Sequence, residues 1–63
     1  MSSSTVAMLK AMIADAEGGI GALQDEIDTN PPPSPQQVQT LHNLQHMFRT
    51  NIDKLKDSIA ELK

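Results

Sequence analysis

The chain has 63 residues, 38% of them hydrophobic, and a formal net charge of -3. One domain at most fits this length, and its core nets no more than about 3 to 5 kcal/mol unless a disulfide, a metal or a second subunit adds to it. Cysteine is absent, which excludes the disulfide, and the acidic balance argues against general nucleic-acid or anionic-membrane binding, since both require a basic patch.

The uncharged opening before Lys10 is short and rich in serine, unlike a signal-peptide core or a membrane span. A cytoplasmic protein is therefore expected, with signal-independent export as a compatible route. Residues 1–4 read as a frayed lead-in, with Ser3 or Ser4 as helix N-cap.

The first helix is expected over residues 5–28. Its apolar positions Val6, Leu9, Ile13, Ala16, Ile20, Leu23 and Ile27 alternate steps of three and four, the seam of a coiled coil. Behind that seam a second row, Ala7, Ala11, Ala14, Gly18 and Gly21, keeps the same spacing, widened by Gly19 and Ala22. Glycine inside a helix costs about 1 kcal/mol relative to alanine. Three glycines thus call for a reason: either a close-approach groove for another helix or a break at Gly18 and Gly19. The helix closes on an acidic group, Asp25, Glu26 and Asp28, where the helix dipole disfavours negative charge. A solvated end is the simpler reading of that group.

Residues 29–34 form the expected turn. Asn30 can supply a left-handed C-cap, and Pro31, Pro32, Pro33 and Pro35 forbid a continuous helix. Three successive prolines at about 3.1 Å each span the roughly 8 to 10 Å between packed helix axes. The chain must then double back as an antiparallel αα-hairpin, an all-α fold.

The second helix is expected over residues 35–63, opened by Ser34 as N-cap, Pro35 at the first helical position and Gln37 to complete a capping box. Its seam is Val38, Leu41, Gln45, Phe48, Ile52, Leu55, Ile59 and Leu62. An antiparallel seam pairs positions whose numbers sum to about 68, which matches Val6 with Leu62, Leu9 with Ile59, Ile13 with Leu55, Ala16 with Ile52, Ile20 with Phe48, Leu23 with Gln45 and Ile27 with Leu41. That register places Glu17 beside Arg49 and makes Phe48 a mid-seam anchor. A polar Gln45 in the seam costs stability and serves to fix register or oligomer state.

Met8 and Met12 on helix 1, with Leu44 and Met47 on helix 2, flank the seam. Such residues either widen the core or form a recognition edge, for which methionine's adaptability suits it. The apolar surface exceeds what two helices can cover, so self-association or a partner helix is expected, through Ala7, Ala11, Ala14, Gly18 and Gly21 together with the Met8, Met12, Leu44 and Met47 margin. His42 and His46 stand one helical turn apart, yet Asn43 occupies the place of the glutamate in a zinc-protease motif and no third histidine or cysteine completes a site. No phosphate loop and no nucleophile with a base at credible spacing occurs elsewhere. No catalytic, cofactor or metal site is therefore expected, and no small-molecule substrate.

The segment from Asn30 to Pro35, containing Pro32-Pro33-Ser34-Pro35, resembles the turn of type III secretion needle subunits, whose helical hairpins carry a proline, two small or polar residues and a proline. In size and architecture the chain is also similar to the small helical-hairpin co-chaperones that hold such subunits soluble. The resemblance implies a non-enzymatic assembly subunit or co-chaperone acting by helix packing. A Rop-like hairpin dimer that binds RNA is the alternative, opposed by the single lysine and five acidic residues of helix 1.

Overall fold

The computed structural model describes residues 3–62 and contains two α-helices, α1 over Ser3–Ile27 and α2 over Pro35–Leu62. They pack side by side as an all-α helical hairpin, with no strand among the described residues. Each helix can bury only a stripe, so the body is a slab measuring 48 × 15 × 9 Å. It is long, two helices wide and one helix thick.

Helix α1 begins at Ser3, so Ser3 and Ser4 belong to its first turn and not to a frayed lead-in or an N-cap. Serine is tolerated there because the first backbone N–H groups have no intrahelical partner to lose. Met1, Ser2 and Lys63 lie outside the described residues. The helix runs unbroken through Gly18 and Gly19. Backbone hydrogen bonds need no side chain, and propagation inside an established helix is far less demanding than nucleation.

The end of α1 differs from the left-handed cap expected at Asn30. No non-glycine residue among those described has a positive φ. Instead Asp28 N donates to Gln24 O at 3.0 Å, and Thr29 Oγ1 donates to Glu26 O at 2.9 Å. Pro31 disfavours helical backbone at the residue before it, so the closing bond falls one residue earlier, on Thr29. The Asn30–Pro31 peptide bond is cis.

Helix α2 starts with a reciprocal pair of bonds. Ser34 N donates to Gln37 Oε1 at 3.0 Å, and Gln37 N donates to Ser34 Oγ at 3.2 Å. Two backbone donors that would otherwise lack partners are thereby satisfied, at the junction where the chain reverses.

The core is small. Ile13 and Ala16 of α1 meet Ile52 and Ile59 of α2, with Val6, Leu9, Ile20 and Leu55 packed partly buried around them. Leu23, Ile27, Val38, Leu41 and Leu62 are half-buried. Along α2 the seam divides into two rows at seven-residue spacing: Gln45, Ile52 and Ile59 are buried, whereas Leu41, Phe48, Leu55 and Leu62 stay partly open. One row faces α1 squarely. The other sits at the rim of the slab, where a single neighbouring helix cannot cover it.

Candidate functional site

Phe48 does not anchor the middle of the seam. Its side chain is 36% exposed and its ring lies over Gly19, where an added β-carbon would stand 3.3 Å from the ring's Cζ. This contact accounts for one glycine: the hydrogen at Gly19 lets an aromatic ring reach the α1 backbone. Nothing comes within 4 Å of a β-carbon placed on Gly18 or Gly21.

A substitution series separates the two situations. Gly18→Ala and Gly21→Ala add helix propensity without a clash and should each stabilise the hairpin by about 1 kcal/mol, or about 4 to 8 °C in Tm. Gly19→Ala gains the same propensity but forces the Phe48 ring outward, so its net gain should be smaller than that of Gly18→Ala. Thermal unfolding followed by circular dichroism measures the ranking. Equal gains at all three sites would show that the ring contact carries no weight.

The contact between Phe48 and Gly19 ties together two flanks of the hairpin. On α1, Met12 lies seven residues before Gly19 and Met8 eleven before, so all three share a face. On α2, Phe48 joins Leu44, Met47 and Asn51 around a shallow hollow of about 350 Å³. Met8, Met12, Leu44, Met47 and Phe48 are all exposed. A separate hollow of about 520 Å³ lies by the turn, between Glu26, Thr29 and Pro33 on one side and Gln36, Gln37, Thr40 and Leu41 on the other. The result is one long, largely uncharged face on the slab. A spacing of four and three along Met8, Met12, Asp15, Gly19, Ala22 and Glu26 is the signal in the sequence that aligns with it.

Ala7, Ala11, Ala14, Gly18 and Gly21 are exposed as well. Their row runs along the outer edge of α1, free of contact with α2 at Gly18 and Gly21.

Gln45 is the most buried side chain, 2% exposed. Its Nε2 donates to the Ile20 carbonyl at 3.2 Å and to Gln24 Oε1 at 3.1 Å. Gln24 in turn donates from Nε2 to the Asp28 carboxylate at 3.2 Å. Because a carboxylate only accepts, Asp28 turns the Gln24 amide so that its oxygen faces Gln45. The network locks the axial position of α2 on α1, since a shift of one turn would leave a buried amide without partners.

Charge contributes little to holding the hairpin. Glu17 and Arg49 are both exposed and form no ion pair, contrary to the flank pairing expected from the register. Two solvated side chains gain too little from such a bond to be held in one geometry. His42 and His46 are also exposed, and among the described residues no group of three or more His, Cys, Asp or Glu could hold a metal ion. No described helix is long and apolar enough to cross a membrane.

Neither protein families, nor curated proteins, nor solved structures yield a match to this chain.

Proposed function

We propose that the chain is a non-enzymatic protein–protein interaction module, an assembly subunit or co-chaperone that works by packing helices. The supporting observation is the exposure of Met8, Met12, Leu44, Met47 and Phe48 on a slab one helix thick. Scattered surface methionines need no explanation, but an apolar row gathered on one face beside a half-covered seam is the form of a docking surface. The small-residue edge of α1 offers a second approach for a helix, and the turn's resemblance to needle subunits suggests a bacterial secretion apparatus as the setting.

Methyl spectra of isotope-labelled methionine test the reading with two probes, a designed amphipathic helical peptide and a duplex RNA. The peptide should shift the Met8, Met12 and Met47 methyls, with an affinity that changes little between 50 and 200 mM salt, about the range over which a protein with several phosphate contacts loses orders of magnitude. Methyls indifferent both to the peptide and to protein concentration would overturn the module. RNA binding that falls steeply with salt would move the assignment to the Rop-like alternative.

A further inference from the structure

We infer that the hollow by the turn is a docking site for a segment of a partner protein that sets an arginine or lysine against Glu26 and an apolar side chain on Pro33 and Leu41; the inference rests on the interaction-module reading and adds a second site to it. The lining decides the chemistry. Thr29 Oγ1 already donates to the Glu26 carbonyl at 2.9 Å, and Thr40 Oγ1 to the Gln36 carbonyl at 3.1 Å. Gln37 Oε1 accepts from Ser34 N at 3.0 Å. With both hydroxyls engaged by backbone carbonyls, the threonines have methyl groups left for contact, beside the half-buried Pro33 and Leu41. Glu26 is the one charged residue of the lining, and its carboxylate has no ion-pair or hydrogen-bond partner among the described residues.

Charge fixes the sign of the occupant. The chain has no lysine or arginine between Lys10 and Arg49, while Asp25, Glu26 and Asp28 stand together at the turn. Asp28 is engaged by Gln24, and the exposed His42 and His46 form no ion pair with any of the three. Because α1 finishes and α2 begins at this end, the two helix dipoles offset each other and the carboxylates set the local potential. A purely apolar segment would cover the Glu26 carboxylate unpaired, at a cost in desolvation. An arginine or lysine next to the apolar residue pairs with it and lays its own aliphatic stem on the threonine methyls. Shape favours a protein segment over a free small molecule. Ligand pockets enclose about 70 to 90% of their ligand, whereas here only Pro33 and Leu41 are even half-buried and the rest of the lining is exposed. A longer chain needs no such enclosure, since its contacts extend beyond the hollow.

Two forms of the amphipathic helical peptide test the site, one with arginine beside its apolar stripe and one with citrulline, an uncharged side chain of the same shape, at that position. The arginine form should shift the methyl signals of Thr29, Thr40 and Leu41 and bind about fivefold more tightly than the citrulline form, the worth of one ion pair at a half-open rim. Glu26 is exposed, so Glu26→Gln should keep its helicity by circular dichroism and bring the two affinities together. Asp25→Asn removes the same charge outside the lining and should leave the fivefold ratio in place.

Equal affinities for the two peptides, or a ratio that Asp25→Asn abolishes as fully as Glu26→Gln, would overturn the pairing at Glu26. Shifts of these methyls on addition of arginine amide alone, or on raising the protein concentration alone, would overturn the partner segment in favour of a small cation or a second copy. If the peptides move the Met8, Met12 and Met47 methyls and leave Thr29, Thr40 and Leu41 unmoved, the hollow is not a site and the module stands. Silence at both sets of methyls would remove both.

Discussion

Replacing Gln45 by glutamate should leave the hairpin unfolded at neutral pH and partly restore it in acid. The Gln45 amide donates to two acceptors, the Ile20 carbonyl and Gln24 Oε1, and a carboxylate in its place has no proton to offer either. Gln24 cannot reverse its amide to help without abandoning Asp28. An unpaired buried charge costs about 3 to 5 kcal/mol, comparable to the entire stability that a core of this size supplies. Burial disfavours the charged form, so the folded-state pKa of Glu at position 45 would rise above its unfolded value of about 4.3. Stability from the neutral carboxyl is then fully present below the unfolded pKa and is lost as pH rises through the folded one. Circular dichroism at pH 7 and near pH 4, with the parent chain as reference, measures the effect. Gln45→Leu is the control. It removes the polar group and fills the same space, so it should keep the helices folded at both pH values. A glutamate variant as stable as the parent at pH 7 would mean that the site is wet.

The hairpin was legible from the sequence because two independent signals agree. Apolar steps of three and four dictate a helical stripe on each side, and the proline run between them admits only a reversal. The start of α2 was equally open to reading: Ser34 and Gln37 carry the capping pair at the one spacing that closes it. Spacing fails at the next level of detail. It ranks Gln45, Phe48 and Ile52 alike as seam residues, although a hairpin gives each helix a single neighbour and only one heptad row can face it fully. The row of Gln45, Ile52 and Ile59 took that place, and Phe48 fell to the rim. The role of Gly19 followed from that displacement and had no local signature apart from its glycine neighbours. A polar residue in an apolar seam marks Gln45 as a register device, but its partners leave no pattern in the sequence, because they are a backbone carbonyl and an amide one helical turn apart on α1.

Ile52→Ala should produce the largest loss among apolar truncations. Ile52 is buried in the same small cluster as Ala16, Ile13 and Ile59. Ala16 across the interface is already the smallest helix-favouring side chain, so the opposing helix has nothing with which to fill the space. Truncating a buried isoleucine costs about 2 to 5 kcal/mol, toward the upper part of that range where the site cannot collapse. A lone hairpin with about 3 to 5 kcal/mol to lose would be largely unfolded by the change. Thermal unfolding followed by circular dichroism, with Leu55→Ala as the partly buried comparison, measures the ranking. A smaller loss for Ile52→Ala than for Leu55→Ala would show that the helices close over the space.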